Sequence, residues 1–207
     1  SSSSANSVIR VSQAQVPTEW GMFVCTAFRD ATTQIEHVAF SAGDIESSEP
    51  VLTRVHSECL TGDVFASRRC DCGPQLQTSM ALIAQEGRGV VVYLRDHEGR
   101  GIGIAHKISA YSLQDQGRDT VDANTELGFA IDDRDYSIGA RILRDFGIKQ
   151  VRLITNNPAK FEGLEAEGVE VVERVRLDLA PTEENLRYLQ TKRDRMGHLL
   201  DLPESAI

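Results

Sequence analysis

No apolar run in this sequence approaches the roughly 20 residues that a membrane-spanning helix needs, which sets aside an integral helical membrane protein. The first seven residues, SSSSANS, lack the charged and then apolar anatomy of an export signal. The expected location is therefore the cytoplasm, where thiols stay reduced, and the four cysteines read as metal ligands or free thiols rather than disulfides. A basic excess is also missing. Lys and Arg number 22 against 31 Asp and Glu, a net charge of -9, which excludes broad nucleic-acid binding. It does not exclude an anionic small molecule, because local arginines can outvote the global charge inside a pocket. Internal repeats and clear linkers are absent. The expectation is a flexible leader over residues 1–7, a single domain over 8–200 and a short tail over 201–207. A chain of 207 residues is long enough for a sizeable core.

The patterning that is present predicts an α/β (α+β) fold, a mixed sheet flanked by helices with a β-rich amino-terminal third. Residues 8–16 alternate as a short strand, and GMFVCTAFRD and IEHVAFSAGD form a hairpin or meander. Cys25 reads as a buried core thiol and Trp20 as packing. VLTRVHSECL (51–60) is a strand candidate with Arg54, His56 and Glu58 on one face. PQLQTSMALIAQEG (74–87) reads as a helix opened by Pro74, closed by Gly87, with Leu76, Met80 and Ile83 as its core stripe. GVVVYLR (89–95) reads as a buried parallel strand. Helices are expected over 105–117, 136–147, from AKFEGLEAEG and over 181–200, with strands from QVRLIT and VEVVERV.

Reactive side chains concentrate between Arg54 and Gln75, in RVHSECLTGDVFASRRCDCGPQ. Cys59, Cys70 and Cys72 are good zinc ligands. Three protein ligands leave a fourth position for water, whose pKa zinc lowers toward ~7. Arg68 and Arg69 would hold the thiols as thiolates, with Asp71 as an outer partner. Spacing alone leaves open a closed structural site completed by His56, or no metal. EGRGIG (98–103) follows a strand and precedes a helix, which suits an anion cradle or simply a tight turn. TNNPAK (155–160) is a second such loop, offering Thr155 and Lys160. Together with Arg54, the two loops suggest a polyphosphate ligand. DDRD (132–135) is by default a solvated charge run, although the apolar GFAI before it allows one residue to point inward. Tyr111 is either a hydrogen-bond donor or core. His97 and His106 are expected to face solvent.

Assembled, these motifs resemble the GTP cyclohydrolase II family. RVHSECLTGD, RRCDCG, EGRGIG, AYSLQDQG, DTVDAN, GFAIDDRDY, LITNNPAK and TKRDRMGHLL stand in the family's order between about residues 17 and 200. The resemblance implies one catalytic domain over 8–200 that opens the guanine ring of GTP. The products would be formate, pyrophosphate and a diaminopyrimidinone ribosylamino phosphate, in the first step of riboflavin synthesis. It implies Cys59, Cys70 and Cys72, with water, as ligands of one catalytic zinc per subunit, and Mg2+ with the triphosphate. It further implies Arg54, Val55, His56, Ser57, Glu58, Gln75, Glu98, Gly99, Arg100, Thr120, Thr155 and Lys160 as GTP contacts. Asp132 matches the general base, Arg134 the proposed nucleophile and Tyr111 a residue of the ring chemistry. Family members act as homodimers, without nucleic acid or membrane partners, and are often fused to a second synthase domain upstream. Arg176 stands where the family often has proline, which reads as a surface change. The competing implications are a paralogue with an incomplete or formylated product and a non-catalytic, zinc-stabilised nucleotide-binding regulator.

Overall fold

Alternating side chains and short turns build the amino-terminal third as antiparallel strands. The computed structural model describes residues 8–98, 103–117, 136–177 and 179. Strand β1 (Val8–Thr18) pairs antiparallel with β2 (Gly21–Asp30), and β2 pairs antiparallel with β3 (Glu36–Ala42). The remaining strands are β4 (Val51–Ser57), β5 (Gly89–Leu94), β6 (Gln150–Ile154) and β7 (Glu170–Val175). They complete one seven-stranded sheet in the order β1-β2-β3-β5-β4-β6-β7. The strand over 89–95 is parallel to β4, as predicted, but antiparallel to β3, so it joins the two halves of the mixed sheet.

Both faces of the parallel part are covered. On one face α2 (Cys72–Glu86) sets Met80 and Ile83 against Leu52, Val91 and Ile154, with Leu76 partly buried beside them. On the other, α4 (Ser137–Asp145) sets Ile138, Ala140, Ile142 and Leu143 against Val51, Val55, Val90, Val92 and Leu153. Leu164 of α5 (Pro158–Glu165) joins this second cluster. Alternate residues of β4 and β5 thus feed opposite cores, and full burial of each such Val or Leu side chain is worth about 1.5–3 kcal/mol. Helix α2 begins two residues before the predicted Pro74. It ends at Gly87, whose φ of 77° is the left-handed conformation that stops a helix cheaply only at glycine. The four-residue α1 (Leu60–Asp63) and α3 (Ile104–Asp115) complete the described elements.

Some expectations shift. Cys25 is half-buried rather than core. His106 is exposed, but His97 is half-buried and sets its ring 6.4 Å from that of Tyr136. Trp20 packs against the α2-side core, and Arg176 is exposed, both as predicted. The leader, the polar stretch 118–135 and the terminal helix expected over 181–200 lie outside the described residues.

Candidate active site

Strands β5, β4 and β6 are adjacent and parallel, so their carboxyl ends open on one edge of the sheet. In open parallel sheets that edge is where ligands bind. Three of the segments singled out in the sequence leave from it. The cysteine stretch follows Ser57, the glycine-rich loop follows Leu94, and TNNPAK follows Ile154.

The Sγ atoms of Cys59, Cys70 and Cys72 lie within 4.8 Å of one another. Two sulfurs bound to a tetrahedral zinc at ~2.3 Å stand about 3.8 Å apart. Cys59 and Cys70 are separated by 3.7 Å, so the donor set fits zinc in chemistry and in spacing. Hydrogen bonds from the Cys70 and Cys72 thiols hold the Cys59 thiol far below its ordinary pKa, with help from Lys107. The shared proton pushes Cys70 and Cys72 upward in turn. Lys107 on α3, which the sequence reading did not single out, is a cation in contact with the sulfurs. Its Nζ donates to Cys59 Sγ at 2.9 Å. Arg69 instead pairs with Asp115 and lies 4.5 Å over the Tyr111 ring.

Gly62 makes room for this cluster. A Cβ there would sit 2.8 Å from Cys70 Sγ, 3.1 Å from Cys72 Cβ and 3.3 Å from Cys59 Sγ. Gly62→Ala is expected to weaken zinc binding at least about tenfold, the scale seen when the support of a metal ligand is disturbed. Chelator competition checks this, with an unchanged far-ultraviolet circular dichroism spectrum confirming the fold.

Asp63, given no role in the sequence reading, is the hub of the buried polar face. Its carboxylate accepts from His56 Nε2–H at 2.9 Å, the Cys59 backbone N–H at 3.0 Å and the Tyr93 hydroxyl at 2.7 Å. The Nε2 proton leaves His56 Nδ1 as an acceptor 3.4 Å from Arg54 Nη2. His56 is therefore engaged at both nitrogens and stacked on Tyr93 at 5.5 Å, which argues against it as a fourth metal ligand. Burial lowers its pKa to about 4, although the Asp63 hydrogen bond works the other way. The ring is neutral when folded. Its contribution to stability is complete above the unfolded pKa near 6.5 and is lost as pH falls toward about 4.

The polar face of β4 is thus buried, not wet. Arg54 spans to Ile154 O at 3.0 Å and to Gln75 Oε1 at 2.7 Å, and Gln75 Nε2 donates to Asp71 Oδ2 at 2.5 Å. Asp71 therefore supports Gln75 as well as lying between two of the cysteines. Arg54 Nε and Ser57 Oγ are buried without a hydrogen-bond partner among the described residues. Glu58 accepts from the Asp96 N–H at 2.8 Å, and Val55 offers its carbonyl to Lys160 Nζ at 2.6 Å. Thr155 Oγ1 accepts from the Asn157 N–H at 3.0 Å. Tyr111 meets Thr61 Oγ1 at 3.3 Å, and Thr61 in turn lies 3.8 Å from Cys59 Sγ. Burial pushes the Tyr111 pKa up to about 12, so the phenol stays protonated and can donate. Gly99, Arg100, Thr120, Asp132 and Arg134 lie outside the described residues. Lys107 and Asp63 are the site residues that sequence reasoning missed. The available signals were the four-residue step from Lys107 to Tyr111 on a helix and the four-residue step from Cys59 to Asp63. Among the described residues no helix is long and apolar enough to cross a membrane.

Comparison with known proteins finds close relatives of this chain. Riboflavin biosynthesis protein RibBA of Nocardia farcinica is 57% identical over 205 residues, covering 96% of this chain and 50% of that protein. RibBA of Mycobacteroides abscessus is 55% identical over 202 residues, covering 95% of this chain and 48% of that protein. The chain thus spans about half the length of the curated relatives it matches. A solved two-domain 3,4-dihydroxy-2-butanone 4-phosphate synthase from A. baumannii aligns with a TM-score of 0.46 and 23% identity, over 82% of this chain and 40% of that one. That similarity is too low to bear on function. Residues 9–176 match the family described as GTP cyclohydrolase II, and with most of its length inside that match the chain belongs to the GTP cyclohydrolase II family.

Proposed function

We propose that this chain hydrolyses GTP in a zinc-dependent reaction that opens the guanine imidazole ring and releases formate and pyrophosphate. The remaining product is the diaminopyrimidinone ribosylamino phosphate that enters riboflavin synthesis. The chain would act in the cytoplasm as a homodimer. The observation that carries this reading is the trio of cysteine sulfurs within 4.8 Å at the carboxyl edge of the parallel strands, in a chain of this family.

Cys59, Cys70 and Cys72 would hold one zinc per subunit, which supplies Lewis-acid activation of water for attack at C8 of guanine. Arg54, Val55, His56, Ser57, Glu58 and Gln75 would receive the nucleotide along β4 and the start of α2. The buried, unpartnered Ser57 hydroxyl and Arg54 Nε are the kind of polar groups that a ligand satisfies. Glu98, Gly99, Arg100, Thr120, Thr155 and Lys160 would hold it from the loops, with Mg2+ on the polyphosphate oxygens. Tyr111, protonated at neutral pH, would donate a hydrogen bond to the opening ring. Asp132 would take a proton. Arg134 would stabilise charge at the α-phosphate, which asks less of a group with a pKa above ~12 than covalent attack does.

The test incubates the purified protein with GTP, Mg2+ and zinc, and follows formate, pyrophosphate and the ultraviolet change of ring opening. All three signals are expected, and Arg134→Ala should abolish pyrophosphate release. Nucleotide binding without any product would replace the reading with a non-catalytic regulator. Pyrophosphate without formate would point to an incomplete product.

A further inference from the structure

One buried cation of the site has no part in the reading above. Lys107 is 9% exposed and sits on α3, far along the chain from the cysteines. Its Nζ donates to Cys59 Sγ at 2.9 Å and to Glu98 Oε1 at 2.5 Å. The second oxygen of Glu98, Oε2, accepts from the Leu60 N–H at 2.7 Å. Leu60 follows Cys59 directly. Cys59, Lys107, Glu98 and Leu60 therefore form a closed ring of contacts. The ring ties the loop after β4, the loop after β5 and helix α3 to one sulfur.

The charges explain why the ring needs a cation. Three thiolates around a dication carry a net charge of -1, and the Glu98 carboxylate brings a second negative charge next to them. Like charges this close and this buried are costly, because burial weakens solvent screening. An ammonium between sulfur and carboxylate turns that repulsion into two charge-assisted hydrogen bonds. Arginine and lysine also reach carboxylates from the surface, but here the side chain is enclosed and aimed at a ligand atom. A structural salt bridge alone would need only Glu98.

We propose that Lys107 is a positioning residue of the metal centre, whose ammonium tunes the Cys59 ligand by an N–H···S hydrogen bond and sets the start of the glycine-rich loop through Glu98. The proposal rests on the zinc reading given above. Removing the ammonium leaves the sulfur more electron-rich and Glu98 unshielded, so one change alters both the ligand and the loop. A more electron-rich sulfur would by itself hold the metal at least as well, so the expected loss of metal affinity, about 10–100-fold, comes from the lost orientation of Cys59, the range for partners that orient metal ligands.

Cobalt(II) replaces zinc as a visible probe. In Lys107→Met the thiolate-to-cobalt charge-transfer band should move to lower energy, and cobalt and zinc affinities should fall by that factor. Lys107→Arg, which keeps the charge and the donor, should restore most of both. If Lys107→Met does not fold, Lys107→Gln against Lys107→Arg makes the same comparison, with Gln shifted and Arg close to the unmodified protein. A purely structural role would lower the melting temperature and leave the band where it is. An unchanged band and unchanged affinity in the uncharged variants would overturn the proposal while leaving the zinc reading intact. Failure of the unmodified protein to bind cobalt or zinc would overturn both.

Discussion

Cys59→Ser is expected to empty the metal site and reduce formate release to background. Cys59 lies 3.7 Å from Cys70 within the sulfur cluster and accepts the hydrogen bond from Lys107. A serine hydroxyl does not ionise at neutral pH and is a poor zinc ligand, so two thiols would remain where three are needed. The substitution also leaves the Lys107 ammonium without its sulfur partner, adding a local electrostatic cost. Zinc content should fall from one per chain toward zero. GTP binding should weaken less, because Arg54, Gln75 and Lys160 are held by other contacts. Metal analysis and a formate assay on one preparation decide it. A variant that kept stoichiometric zinc would show that the three cysteines are not the metal site.

Asp63→Ala is expected to be the most damaging single change to stability around the site. One carboxylate satisfies three buried donors: the His56 ring, the Tyr93 hydroxyl and the Cys59 backbone N–H. Each donor left unmet costs about 1–3 kcal/mol, so the three sum to roughly 3–9 kcal/mol before relaxation. For a chain of this size each kcal/mol lowers the melting temperature by about 2–4 °C, which places the expected drop at roughly 6 °C or more. The effect should not stop at stability. Without its partner, the His56 Nε2 proton is no longer fixed, and nitrogen NMR of the ring should show mixed tautomers. Tyr93→Phe, which removes one donor and leaves no orphan, should cost much less. A melting temperature within a degree or two of the unmodified protein would refute the hub assignment.

The comparison of sequence with structure turns on distance along the chain. The cysteine trio was legible because its members lie close together and few uses of such spacing exist. The parallel strands were legible because Val90, Val91 and Val92 are buried on both faces and so show no alternation. Lys107 was not legible. A lysine on a helix with exposed neighbours such as His106 and Ile108 looks like a solvated face, and only the crossing of α3 over the Cys59 loop buries it. Asp63 was missed for a related reason. It ends a four-residue helix that pattern analysis cannot detect, and its value comes from β4 and β5 lying side by side. The assignment of Arg69 to the thiolates followed sequence proximity, whereas its side chain pairs with Asp115 and the cation that donates to Cys59 comes from another element. Strand alternation correctly split β4 into two faces but could not say that both would be covered.

The three proposed metal ligands come from one short span, Cys59 to Cys72, between β4 and the first turn of α2. A cross-link restricts an unfolded chain according to the length of the loop it closes, and this loop is short. Its ends are also already placed by the sheet and by α2, whose contacts with Leu52, Val91 and Ile154 do not involve the sulfurs. A zinc held here would add little to the cooperativity of folding, in contrast to small domains that unfold when their metal is removed. The consequence is a centre that can fill and empty while the chain stays native. Under the proposed reading, occupancy would then follow the free zinc concentration rather than the history of folding.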